Sequence, residues 1–272
     1  MKSRKPLSER RPVAVANWKM YLSAAESVRA AESLRALVAR LPRRIEIIVC
    51  PSFPVLPEVR RVLGRSRILL GAQDVHAESH GPFTGDVSVD HVRRYVRYVI
   101  VGHSERRRHH GETDAVVAAK TARVLRAGLH PIVCVGETAE ERDRGETIQK
   151  VRSQVTTILE DLPVLELPRL LFAYEPIWAI GTGVDVPAEQ PEPREVTEVI
   201  GLIRKVASDL GQRRYASQMR VLYGGSVTAK TVRPFVSEPG VDGVLVGGAS
   251  TKPAEFVGII KEILASTHHG NH

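Results

Sequence analysis

The sequence predicts a single (βα)8 barrel, an α/β fold in one domain, and three observations carry the prediction. Eight short β-branched runs recur along the 272 residues, helical periodicity fills the gaps, and polar residues gather just after the runs end. The runs are almost continuously apolar, as strands covered on both faces are. An open, doubly wound sheet is the other arrangement of alternating strands and helices. In its dinucleotide-binding form it shows a Gly-x-Gly-x-x-Gly turn after the first strand, where this chain has Asn17-Trp18-Lys19-Met20. One barrel of about 250 residues accounts for the length without a second domain.

In order, strands are expected at 13–16, 45–50, 68–72, 98–101, 131–135, 170–174, 220–223 and 243–246. Between the first two, Val28, Ala31, Leu34, Leu37, Val38 and Leu41 keep the three-four spacing of a helix that buries one face. The same spacing recurs over 54–63, 115–127, 148–159, 195–210 and 256–264. Ser23 and Thr113 stand where an N-cap oxygen accepts free N–H groups at a helix start. Residues 1–11 read as a flexible basic extension, 12–266 as the catalytic barrel and 267–272 as a flexible His-containing tail.

Composition narrows the function. Cys50 and Cys134 lie in apolar runs and read as buried strand residues in a reducing compartment, with neither disulfide nor metal spacing. No stretch reaches the roughly 18 apolar residues of a membrane span, and no apolar run of signal-peptide length follows the basic N-terminus. A cytoplasmic protein without a membrane partner is expected. The net charge of +8 admits a polyanion partner. The arginines are scattered over helices and their ends, apart from the N-terminal run and Arg106-Arg107-Arg108. Solvated surface charge is the expectation for most of them, and no nucleic-acid partner is expected. His76 and His80 lie four apart in a Gly- and Pro-containing loop, which reads as surface and not as a metal pair.

Four segments at strand ends carry the chemistry. They are Asn17-Trp18-Lys19, then Gly102-His103-Ser104-Glu105-Arg106-Arg107, then 174–183 (YEPIWAIGTG), and last the paired turns Tyr223-Gly224-Gly225-Ser226 and Leu245-Val246-Gly247-Gly248-Ala249. Singly, each has a bland reading: Lys19 as surface, His103 as structural, Glu175 as a cap, Gly-Gly as a turn. Convergence on the carboxyl ends of barrel strands is what marks a site. A carboxylate screened from water is basic enough to take a proton near neutral pH. Glu175 ends the sixth strand and leads into a loop whose closure would screen it from water, so it is the candidate base. His103 precedes a helical turn whose N–H groups favour a neutral imidazole, able to donate to the developing oxyanion. Lys19 adds a fixed positive charge. Gly247 and Gly248 precede Ala249-Ser250, a helical start that offers N–H groups to a phosphate.

On these segments the chain resembles triose-phosphate isomerase from about residue 13 to 264. Gly71-Ala72-Gln73-Asp74, Phe83-Thr84-Gly85, Gly111-Glu112-Thr113-Asp114 and Cys134-Val135-Gly136-Glu137-Thr138 support the likeness. The resemblance implies a TIM barrel and a homodimer that interconverts D-glyceraldehyde 3-phosphate and dihydroxyacetone phosphate, a step of glycolysis and gluconeogenesis. It implies a small phosphorylated sugar as substrate, and neither cofactor nor metal. It further implies that Asn17 helps position Lys19 and His103, and that Glu105 holds Lys19 without touching substrate. Gly181 and Ser226, with Gly225, are implied to complete the phosphate site. Pro176 and Trp178 are implied as the hinge of a lid, grouped with Tyr223 and Ser104. Ile180 and Leu245 are implied to close apolar surface over Glu175 and raise its basicity by desolvation. The loop carrying Thr84 and Asp86 is implied to dock into a second subunit.

Three features depart from the family. The hinge and the residues after it, 184–193, differ and are Pro-rich; Tyr21 stands in place of Asn; Asp86 stands in place of Glu. Three rival readings accompany the main one. They are an isomerase of a four-carbon ketose phosphate such as erythrulose phosphate, a Schiff-base aldolase with Lys19 as nucleophile, and a non-catalytic barrel that binds polyanions.

Overall fold

A computed structural model describes residues 10–180 and 189–266. The expected phosphate contact of Gly181, most of the altered stretch 184–193, most of the basic extension and the His-containing tail lie outside the described residues. The chain runs β1 (Val13–Asn17), α1 (Ala24–Val38), β2 (Glu46–Cys50), α2 (Leu56–Leu63), β3 (Ile68–Ala72), α3 (Val89–Val92), β4 (Tyr98–Val101), α4 (Ser104–His110), α5 (Asp114–Arg126), β5 (His130–Val135), α6 (Ala139–Asp143), α7 (Thr147–Leu159), β6 (Leu171–Tyr174), α8 (Pro193–Ala207), α9 (Arg213–Ala216), β7 (Arg220–Tyr223), α10 (Arg233–Val236), β8 (Gly243–Val246) and α11 (Pro253–Ser266). The eight strands are parallel, and β8 pairs back onto β1 to close the barrel. Strands fall within one residue of expectation because their apolar runs are bounded by polar or Gly/Pro positions.

Side chains alternate across the barrel wall. Val13, Val15, Ile48, Cys50, Tyr98, Ile100, Ile132, Cys134, Leu171, Ala173, Leu222 and Leu245 fill its interior. Ala14, Ala16, Ile47, Val49, Val99, Val133, Phe172 and Val221 face the helices instead. Both cysteines are free and buried. Ser23 and Thr113 cap α1 and α5 as expected, and Glu26 completes a capping box at α1. Helix α8 starts two residues earlier than its apolar pattern suggests. Pro193 supplies a preset first turn, and Glu192 with Glu195 forms a reciprocal cap. Arg10 and Arg11, read as part of a flexible extension, are tied to the barrel. Arg10 Nε donates to Asp242 at 2.8 Å and Arg11 Nη2 to the Ile45 carbonyl at 3.0 Å.

The floor of the barrel is polar. Tyr98 donates to Glu46 at 2.5 Å, and Arg220 pairs with the same oxygen at 2.9 Å. The His130 ring lies tilted against Tyr98 with centroids 5.0 Å apart, and its buried Nδ1 has no partner among the described residues. Burial first, then the charges of Arg97 and Arg220, push the His130 pKa down to about 4 from 6.5. Between these values the unfolded chain binds the proton and the folded chain does not, so stability falls as pH drops from about 6.5 toward 4. Urea unfolding at pH 7 and pH 4.5 is expected to show wild type losing about 1 kcal/mol more than His130→Gln, after discounting for a half-exposed ring. Equal losses would contradict this.

Candidate active site

Strand alternation aims two of the site residues directly. Asn17 follows Val13 and Val15 on the inward face of β1, and Glu175 follows Leu171 and Ala173 on that of β6. His103 has the opposite parity. Gly102, with φ +68°, turns the chain at the end of β4 so that His103 caps α4 and still faces Glu175. A side chain at 102 would be strained there and would meet Val117 at 2.7 Å.

His103 Nε2 lies 3.3 Å from Glu175 Oε1. The Glu105 N–H donates to His103 Nδ1 at 3.2 Å, which leaves the ring proton on Nε2, the nitrogen that faces Glu175. The Ser104 N–H donates to Glu175 Oε2 at 3.0 Å. His103 and Glu175 are both buried, at 6% and 2% exposure, so their contact is little screened. Glycines make room for the carboxylate. A Cβ at Gly136 would sit 1.8 Å from the Glu175 carbonyl, and one at Gly224 would sit 2.7 Å from Glu175 Cγ.

Lys19 has φ +50°, rare for a residue with a side chain. Three neighbours fix this conformation. Asn17 Oδ1 accepts the Lys19 N–H at 3.1 Å, while Ser52 Oγ and Gln73 Nε2 donate to its carbonyl at 2.9 and 2.8 Å. The ammonium pairs with Glu105 Oε1 at 2.6 Å. Burial acts to raise the Glu105 pKa, but His103 and Lys19 outweigh it and hold the carboxyl below its usual range. A Cβ at Gly247 would meet Lys19 Cε at 3.1 Å, so that glycine lets β8 approach the lysine. Gly248 opens the helical turn Gly248–Thr251, whose Ser250 carbonyl accepts from Trp18 Nε1 at 3.1 Å.

Around this centre, Ser226 donates its N–H to the Ala179 carbonyl at 3.3 Å. Gly225 is buried beside it. Tyr223 is fully buried and stacks on Phe235 at 4.4 Å. Leu245 lies in the barrel interior and Ile180 is half-buried beside the turn at Ile177–Ala179. Pro176 leads into that turn, where Trp178 Nε1 donates to Glu137 at 2.9 Å and the Arg142 guanidinium covers the indole at 3.6 Å. Burial raises the Glu137 pKa despite donors from Trp178 and Tyr174. Thr84 is exposed, and Asp86 lies 3.5 Å from His76 Nε2. His80 contacts Ser79.

Sequence reasoning missed the residues that hold the site from behind. Arg106 and Arg107 are half-buried and paired: Arg106 with Asp74 and Glu112, and Arg107 with Asp114 at 2.5 Å. Buried Lys120 pairs with the same two buried carboxylates, Asp74 and Glu112, closing a quartet behind α4 with Arg106 at its outer edge. Gln73, Glu112 and Glu137 all lay in quoted motifs, but polar residues distant in sequence give no sign that they meet. Lys120, in a helical pattern of Ala and Val, is the one with a signal: it falls on the buried face of α5.

A profile of the triosephosphate isomerase family matches residues 12–263. The triosephosphate isomerase of Carboxydothermus hydrogenoformans is 42% identical over 255 residues, 93% of this chain and 98% of that one. Those of Thermus thermophilus and Cupriavidus necator are each 42% identical over 253 residues, covering 93% and 92% of this chain and 98% of each relative. With that profile spanning nearly the whole barrel, the chain belongs to the triosephosphate isomerase family.

Proposed function

We propose that Glu175 is the base through which this chain interconverts D-glyceraldehyde 3-phosphate and dihydroxyacetone phosphate. The observation that carries this is the His103–Glu175 contact at 3.3 Å at the buried mouth of the barrel. A substrate entering between the two side chains replaces that contact. Glu175 takes a proton from the carbon beside the carbonyl, an enediolate forms, and the same carboxyl returns a proton to the neighbouring carbon. His103 Nε2–H donates to the oxyanion and passes protons between the two oxygens. Lys19 stabilises the negative charge, while Asn17 and Glu105 hold Lys19 in place. Gly247, Gly248 and Ser226 bind the phosphate through N–H groups. The small substrate is favoured over a four-carbon ketose phosphate. Parallel assays are expected to give at least about tenfold higher kcat/KM on glyceraldehyde 3-phosphate than on erythrulose 4-phosphate, the range of discrimination that pocket size alone supplies. The reverse order would assign the chain to the longer substrate.

A homodimer accords with the exposed apolar groups beside the site. Met20, next to Lys19, is 94% exposed, and Phe83, next to Thr84, is 40% exposed. A cavity of about 300 Å³ lined by Lys19, Met20, Gln73, His103, Glu105 and Arg106 is open to receive a loop. Sedimentation velocity is expected to show a species of twice the chain mass at micromolar concentration, and a monomer alone would contradict the dimer.

A further inference from the structure

The amino ends of the strands, opposite the active site, divide into two halves by charge. The loops leading into β1 to β5 (10–12, 39–45, 64–67, 93–97 and 127–129) contain no Asp, Glu or Lys. Those leading into β6 to β8 contain Glu160, Asp161, Glu166, Asp209, Glu238 and Asp242. The first half holds ten arginines: Arg10 and Arg93 pair with Asp242 and Asp90, Arg40 and Arg44 stand at its edge, and Arg11, Arg43, Arg65, Arg67, Arg94 and Arg97 make up the rest. Because β1 to β4 are neighbours in the barrel, these arginines form one crescent, roughly 15 Å across at about 4.8 Å per strand step.

Helix-end capping accounts for part of this charge. Arg11 donates to the carbonyls of Arg43 and Ile45, and Arg67 to those of Val38 and Pro42. A carbonyl satisfies a guanidinium but cancels no charge. Burial first, then the neighbouring Arg11 and Arg43, lower the Arg67 pKa, while Glu46 at the start of β2 offsets part of the charge of Arg11. Arg43, Arg65, Arg94 and Arg97 are exposed. None of the six arginines forms an ion pair among the described residues.

We propose that this crescent is a docking surface for the phosphate backbone of a nucleic-acid duplex, bound without regard to sequence. Arginine forks bind phosphate oxygens two at a time, which lysine does not do. The sole aromatic in these loops is Tyr95, half-buried under Arg94, so the crescent lacks the row of stacking platforms that single strands use. An anionic bilayer fits less well. The exposed apolar pair of this face, Val164 and Leu165, stands among Glu160, Asp161 and Glu166, which such a surface repels. The surface lies on the far side of the barrel from the isomerase centre and does not depend on it.

The test is fluorescence anisotropy of a labelled, mixed-sequence DNA duplex from about 50 to 200 mM salt, the range over which phosphate contacts are lost. Wild type is expected to bind with affinity that falls steeply with salt. The triple variant Arg43→Gln, Arg65→Gln, Arg97→Gln is expected to bind at least about tenfold more weakly, with a slope of log affinity against log salt shallower by about 2 to 3. A control with equal charge loss, Arg29→Gln, Arg194→Gln, Arg233→Gln, is expected to bind within about twofold of wild type, and both variants are expected to keep isomerase turnover. No binding by wild type at the lowest salt would overturn the proposal. So would equal weakening in the control, which would reduce the effect to net charge, or binding to phosphatidylserine vesicles without binding to the duplex.

Discussion

Glu175→Gln is expected to lower kcat by about 10³-fold, within the range that a positioned general base contributes. The substitution keeps the shape of the side chain. Its carbonyl oxygen can still accept from the Ser104 N–H, the 3.0 Å contact that aims it. What it removes is the basic oxygen facing His103. Because Gly136 packs against the Glu175 backbone and Gly224 against its side chain, the site has no slack in which another carboxylate could take its place. Glu137, just past the end of the neighbouring strand β5, is occupied by Tyr174 and Trp178. A coupled steady-state assay, with thermal unfolding to establish an unchanged fold, measures the effect. Turnover within about tenfold of wild type would remove Glu175 from its role.

Lys19→Met is expected to lower kcat/KM by about 10²- to 10³-fold, the loss typical of one preorganised group that stabilises developing negative charge. Met matches the length of the lysine stem but carries no charge. Three hydrogen bonds to the backbone of residue 19 remain, so its φ of +50° is retained and the loss reports charge and not position. The substitution also leaves Glu105 without the ammonium at 2.6 Å, beside His103. The Glu105 carboxyl pKa is expected to rise, so the variant should show a pH–rate profile displaced on its acid side. A loss below about threefold would show that the charge at Lys19 is not used in the transition state.

The fold and the centre of the site were legible in the sequence for different reasons. Strands read clearly because a buried parallel strand is apolar on both faces, as in 47–50 and 98–101. Ser23 and Thr113 read clearly because capping is local. Asn17 and Glu175 could be aimed by alternation alone, whereas His103 could not, since Gly102 breaks the parity. What stayed hidden is what distant residues do together. Arg106 belonged to a run of three arginines set apart from the scattered ones without a role, yet it meets Asp74 and Glu112, the two buried carboxylates that Lys120 also holds. Gln73 gives no sign in its own segment that it braces Lys19. Gly224 reads as a turn residue and Gly136 only as part of a supporting segment, and the approach of Glu175 explains why neither position can carry a Cβ.

The most direct test of the central claim follows the proton itself. Glyceraldehyde 3-phosphate is converted by wild type and by Glu175→Gln in D2O, and the product is read by proton NMR. If Glu175 removes the carbon proton and returns one through an enediolate, its carboxyl exchanges with solvent. Dihydroxyacetone phosphate should then carry deuterium at the carbon that gained the proton, and the variant should form it only at the much reduced rate. Product from wild-type turnover with protium alone at that carbon would contradict the account, because hydrogen would then pass between the carbons without visiting an exchangeable base.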